Sequence, residues 1–200
     1  TGAVVGAGSA RRAAFIKAIR PDIVTAKLTG NVDTRLRKLR EGQYQAIVMA
    51  MAAQRRMGWL NEDNDTLAGL QIQPWPADIY LPAPAQAAIA IECRKDDSQT
   101  RALMKQLDDA DTHHAVIAER AVLHKLGGGC SAPVGAYAEV QNGELTLTAA
   151  VLNTDGSVII KMQAHGACVN ARKLGTTLAN KLLKQGANII LDEVGKSNES

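Results

Sequence analysis

The first 56 residues alternate between two kinds of segment, and that alternation leaves few folds open. Gly2-Ala3-Val4-Val5-Gly6 reads as a short buried strand running into a glycine turn. Ser9 then stands where a helix N-cap belongs, ahead of a helical stretch over 10–19 that Arg20-Pro21-Asp22 stops. Residues 23–28 have strand character, Gly30-Asn31 marks a turn, and 34–40 reads as a helix ended near Gly42. Residues 46–51 are apolar enough for a third strand, with Arg55-Arg56 just beyond. Strand, helix, strand, helix, strand predicts an α/β domain with a mostly parallel sheet, because parallel neighbours need a crossover between them. Ligands of such sheets gather at the carboxyl ends of the strands. Ser9, Arg11, Arg12, Arg35, Arg55 and Arg56 all fall just after a strand or in the turn that follows one.

The charge distribution narrows the ligand. Residues 1–60 hold eleven Lys/Arg against three Asp/Glu, a balance of +8, while the other 140 hold twelve against seventeen, a balance of −5. The N-terminal part is therefore built to face anions: nucleic acid, phosphate or a polycarboxylate. Its aromatic residues are only Phe15, Tyr44 and Trp59, too few for the stacking platforms that single-stranded nucleic acid prefers, so a small anionic ligand is favoured. No apolar run approaches the roughly 18 residues of a membrane span. No basic and apolar leader opens the chain. Three widely spaced cysteines, Cys93, Cys130 and Cys168, form neither a disulfide framework nor a zinc pattern, and a cytoplasmic setting with reduced thiols is expected. His113 and His114 match no metal-site spacing and read as helix surface or core.

Further along, 61–77 is polar and proline-bearing, as a connecting loop would be. Ile79-Tyr80-Leu81 and Ile89-Ala90-Ile91 read as strand segments around Pro82, Pro84 and Gln86. Asp96-Asp97-Ser98 caps a helix through Leu107, and a second helix runs over 111–126. Residues 134–140, 145–151 and 157–162 read as three antiparallel strands, with hairpin turns at Asn142-Gly143 and Asp155-Gly156, before a long helix over 170–185. The expected division is 1–77 as an anion-binding α/β domain, 78–110 as a return strand and connecting helix, and 111–200 as a small α+β domain. Between helix and sheet lies Gly127-Gly128-Gly129-Cys130-Ser131-Ala132-Pro133. By spacing alone, Cys130 is equally a packed thiol at a helix end or a nucleophile given room by glycine.

Four segments in order then carry a resemblance. Val5-Gly6-Ala7-Gly8-Ser9-Ala10-Arg11-Arg12 is similar to a Gly-Thr-x-Ser-x-Arg-Arg motif. Gly30-Asn31-Val32-Asp33-Thr34-Arg35 resembles Arg-Gly-Asn-Val-x-Thr-Arg. Leu81-Pro82-Ala83-Pro84-Ala85-Gln86-Ala87 resembles Leu-Pro-Ala-x-Gly-Gln-Gly. Ala118-Glu119-Arg120, with the loop through Cys130 to Gly135, is similar to the cofactor segment of the same family, porphobilinogen deaminase or hydroxymethylbilane synthase.

The resemblance implies a cytosolic, monomeric three-domain transferase of tetrapyrrole synthesis. Its first two domains are periplasmic-binding-protein-like. Its third carries a cysteine, here Cys130, that holds a dipyrromethane cofactor through a thioether. Four porphobilinogen units add to that primer with loss of ammonia, and each pyrrole brings acetate and propionate groups. Arg11, Arg12, Arg35 and Arg56 are the candidate carboxylate clamps, since Arg pairs bidentately with carboxylate and stays charged. Ser9 with the Ala7 and Gly8 amides would cradle another carboxylate at a helix start. Asn31 and Gln86 are candidate substrate contacts. The resemblance also marks departures: Thr29 stands where the family has arginine, and Ala85 and Ala87 stand where it has glycines. It places the catalytic aspartate on a first domain that would precede Thr1. The expectation is a chain without turnover on its own, whose partners are porphobilinogen and that N-terminal domain, with no nucleic acid and no membrane. A non-catalytic anion-binding module of the same fold and, further off, a nucleic-acid binder are the alternatives.

Overall fold

A computed structural model of the chain describes residues 2–61, 63–127 and 132–197. Val4 and Val5 begin β1 (Val4–Ala7), which lies between β2 (Val24–Lys27) and β3 (Ala46–Ile47) in a parallel sheet. Val4 aligns with Val24, and Val5 with both Thr25 and Ala46. The crossovers are α1 (Ala10–Ile19) and α2 (Val32–Arg40). Each starts on a polar cap that satisfies an orphan amide. The Ser9 hydroxyl accepts from the Arg12 N–H at 3.3 Å, and the Asn31 side-chain oxygen accepts from the Thr34 N–H at 2.9 Å.

The strand expected over 46–51 is shorter than its apolar run. The Val48 N–H still reaches the Gly6 carbonyl, but β1 ends one residue later, so the ladder has nothing left to pair with. The chain turns into α3 (Met51–Arg56) instead. The strands expected at 79–81 and 89–91 are likewise not formed. The Ile79 and Tyr80 amides both bond to the Pro76 carbonyl in a turn, and no strand among the described residues pairs with either run. Apolar residues make a strand only when a neighbour completes their hydrogen bonds. Leu81 is fully buried here, whereas Ile89 and Ile91 stand 73% and 53% exposed.

The second half follows its patterning more closely. Asp97 caps α4 (Ser98–Lys105), and Asp109 caps α5 (Ala110–Leu126), which ends on Gly127 in the left-handed region. Strands β4 (Val134–Gln141), β5 (Glu144–Leu152) and β6 (Ile159–Ala167) form an antiparallel sheet in that order. The helix expected over 170–185 forms as α6 (Ala171–Leu182), and a wide turn in which Gly186 takes φ 98° leads into a further helix not expected from the sequence, α7 (Asn188–Ser197). Helices α5 and α6 cover one face of this sheet around Val122, Leu145, Leu147, Leu178 and Leu182. Among the described residues no helix is long and apolar enough to cross a membrane.

A smaller core joins the two sheets. Ala14 and Phe15 of α1 pack with Leu81 and with Ala150 and Leu152 of β5. The joint depends on Gly135 of β4, where a Cβ would lie 2.7 Å from Leu81 Cβ and 3.0 Å from Phe15 Cε2. Gly135→Ala is therefore expected to lower stability by about 1–3 kcal/mol. The urea unfolding midpoint of the two chains measures it, and an unchanged midpoint would mean that the joint can give way freely.

Candidate functional site

The carboxyl end of β1 leads into Gly8 and Ser9, and of the expected residues Arg12 and Arg35 come together there. Arg35, on the first turns of α2, lies across the Gly8 backbone: a Cβ on Gly8 would stand 3.2 Å from Arg35 Nη1 and 3.3 Å from the Leu28 carbonyl. Arg35 Nε donates to the Gly30 carbonyl at 2.8 Å, which holds the guanidinium against that surface. Arg12, half-buried on the first turn of α1, donates from Nη1 to the Val48 carbonyl at 3.1 Å. Burial pulls the Arg12 guanidinium below its ordinary pKa, Tyr80 acts in the opposite sense, and the charge of Arg35 adds to the lowering. Arg remains charged at neutral pH regardless, so two like charges are kept near one another beside a glycine.

Arg56 ends α3 and reaches the loop that follows Leu81, donating from Nη2 to the Ala87 carbonyl. Among the described residues, none of Arg12, Arg35 and Arg56 forms an ion pair with a carboxylate. Exposed Arg residues elsewhere do: Arg20 with Asp22 at 2.6 Å and Arg37 with Glu41 at 2.6 Å.

Arg11 is placed differently from its neighbour. It is buried at 6% exposure, donates from Nη1 to the Leu81 carbonyl, and lies 5.8 Å from the centre of the Tyr80 ring. Those contacts make it a strut between α1 and the Tyr80-Leu81 turn. Asn31 uses its side-chain oxygen as the α2 cap, and Ser9 does the same for α1. Ala7 is buried, and its carbonyl accepts from the Leu28 N–H. Thr29 offers its carbonyl to Lys38 Nζ at 3.2 Å. Gln86 is exposed at the tip of a turn closed by its own N–H to the Ala83 carbonyl, at 2.9 Å. Cys93 lies half-buried outside any strand, and Cys168 is buried near the start of α6. Cys130 lies outside the described residues.

Two alanines of the Gln86 loop adopt the left-handed backbone, Ala85 at φ 64° and Ala87 at φ 79°. Side chains with a Cβ are strained there by roughly 1–2 kcal/mol each, and glycine is not. Ala87→Gly is expected to raise stability by about 1 kcal/mol, a melting point higher by roughly 2–4 °C in differential scanning calorimetry. A lower melting point would contradict that reading of the loop.

Glu119 of α5 was assigned no role from sequence, yet it ties this loop down. Its Oε2 accepts from the Ala85 N–H at 2.6 Å and its Oε1 from the Ala138 N–H of β4 at 2.7 Å. It is buried at 6% exposure. The signal was present in the pattern: Glu119 occupies one helical stripe with Ala115, Val122 and Leu126, where an apolar residue is the rule. Burial pushes its carboxyl up to about 7 from an ordinary 4.5, although the Ala85 and Ala138 amides pull the other way. A carboxyl whose folded pKa is raised contributes stability that is full below its unfolded pKa and is lost as pH rises through the folded one. Stability should thus decline between pH 4.5 and about 7, by roughly 3 kcal/mol at about 1.4 kcal/mol per unit. Urea unfolding across that range checks it, and the Glu119→Gln chain should lack this decline.

Such an arrangement is that of a two-part α/β and α+β protein with Arg12 and Arg35 at the carboxyl end of a parallel strand. Comparison with known proteins gives the class a narrower identity. A family model described as "Porphobilinogen deaminase, dipyromethane cofactor binding domain" matches residues 1–102, and one described as "Porphobilinogen deaminase, C-terminal domain" matches residues 113–184. The chain is 48% identical to the porphobilinogen deaminase of Brevibacillus brevis over 99% of its own length, and 45% identical to that of Syntrophobacter fumaroxidans over 96%. It spans 61% and 60% of those two relatives. The chain belongs to the porphobilinogen deaminase family.

Proposed function

We propose that this chain supplies the cofactor-holding and polycarboxylate-binding parts of a hydroxymethylbilane synthase, a transferase of tetrapyrrole synthesis whose substrate is porphobilinogen. The carrying observation is the convergence of Arg35 on Gly8 beside Arg12, with no carboxylate paired to either among the described residues. A dipyrromethane bears acetate and propionate groups, and guanidiniums held on backbone carbonyls with donors to spare fit that chemistry. When bound, this group supplies the free pyrrole end to which each new unit joins. Arg12 and Arg35 would bind and orient its carboxylates, and Arg56 those nearer the Gln86 loop. The side chain of Gln86 stands exposed beside that position and would offer a neutral hydrogen bond. The Cys130 thiol, preceded in sequence by three glycines, is the proposed thioether anchor. Arg11, enclosed by Leu81 and Tyr80, would act on this site only by holding α1 in place.

Mass spectrometry of the intact chain and calorimetric titration with a benzene tetracarboxylate test the two halves of the proposal. The chain made in cells that synthesise tetrapyrroles should carry an adduct of two pyrrole units, absent after Cys130→Ser. Arg12→Ala and Arg35→Ala should each weaken tetracarboxylate binding by about ten- to a hundredfold, the range for losing a charge-assisted hydrogen bond. A bare thiol together with undiminished binding by both variants would refute it. A bare thiol with weakened binding would leave a non-catalytic anion-binding module.

A further inference from the structure

Glu119 is a buried acid with no cation paired to it among the described residues, joined to two amides that belong to different parts of the fold. One is Ala138 on β4, inside the second sheet. The other is Ala85, in the loop that also offers the Ala87 carbonyl to Arg56. Burial alone does not favour an acid there, since a buried charge without a counter-ion is disfavoured. What the carboxylate provides is two acceptor oxygens in one plane, enough to receive both N–H groups at once; a carboxamide has one acceptor and would turn an N–H toward the other donor. Ala85 and Ala87 both take left-handed values on either side of Gln86, so the Ala85 amide and the Ala87 carbonyl lie within one three-residue turn of the loop.

We propose that Glu119 is a positioning residue: by bolting the Ala85 amide to β4 it sets the Ala87 carbonyl, and through that carbonyl the direction of the Arg56 guanidinium. The second half of the chain, which contains the cysteine loop, thereby fixes the aim of an arginine in the first. This rests on Arg56 being part of the anion site, and deepens that reading.

The test compares wild type with Glu119→Gln and Glu119→Asp, the latter keeping the charge but too short to reach both amides. Three quantities are read on the full chain: amide hydrogen exchange at Ala85 and Ala138, the Arg56 guanidinium signals in nitrogen-15 NMR, and benzene tetracarboxylate affinity by calorimetry. In both variants one or both amides should exchange about tenfold faster, the Arg56 signals should move and broaden, and affinity should fall by about three- to tenfold. Arg56→Lys should weaken binding while leaving Ala85 and Ala138 protected, which separates loss of the arginine from loss of its support. Faster exchange with unmoved Arg56 signals would overturn the proposal and leave Glu119 as a structural bolt. Should wild type bind no tetracarboxylate while its Arg56 signals still respond to Glu119→Gln, the positioning would stand and the anion-site reading would fall.

Discussion

Leu81 has no exposed surface, and what surrounds it couples the two halves of the chain. Phe15 of α1 presses on it from the parallel-sheet side, and Gly135 of β4 leaves no more room than a hydrogen atom needs on the other. Its carbonyl takes the buried Arg11 guanidinium, while the neighbouring Tyr80 ring lies tilted against Phe15 and Trp75, with centroids 5.3 Å and 5.0 Å away. Buried apolar contact supplies the attraction, and the buried hydrogen bond makes any other seating of the turn leave a guanidinium unsatisfied. With that joint closed, α1 has one orientation relative to the second sheet. The end of β1, with Gly8 and Arg12, inherits it.

The charges of the proposed site follow opposite rules from the structural ones. Arg11 is enclosed and fully engaged, and Arg20 and Arg37 are paired with neighbouring acids. Arg12, Arg35 and Arg56 rest on carbonyls, which hold a guanidinium in place without neutralising it. Glu119 is the complementary case: a buried acid held by two amides, its carboxyl pushed up to about 7 by burial. Backbone dipoles fix direction and leave net charge available. That combination suits a site that must hold several carboxylates in a defined row, because preset donors need no rearrangement when the anion arrives.

Local chemistry made much of this legible in the sequence. Ser9 and Asp97 each announced a helix start, because a cap acts over three residues and needs nothing distant, whereas Asn31 and Asp109 cap helices that begin two and one residues before their expected starts. Asn142-Gly143 announced a hairpin for the same reason. Ala85 and Ala87 were visible as substitutions where the family has glycine, though the left-handed φ that makes them matter is a property of the folded loop. Glu119 was readable as an acid on an apolar stripe, but its two partners lie 34 and 19 residues away. The apolar runs at 79–81 and 89–91 misled, since their composition is that of strands and the described chain brings no partner to them.

Charge segregation, the alternation of strand and helix, the helix caps and the ordered motifs therefore belong to the sequence alone. They determine that the chain forms a parallel α/β part followed by an antiparallel α+β part, with its basic residues near strand ends. Which of two adjacent arginines is enclosed was decided only by tertiary structure: Arg11 and Arg12 differ by about 100° around α1, and Arg11 is buried on the Leu81 carbonyl while Arg12 stays half-buried on that of Val48. The same holds for Glu119, whose meaning comes from two amides that no local pattern brings together. Local rules set where a side chain begins, and long-range packing sets what it meets.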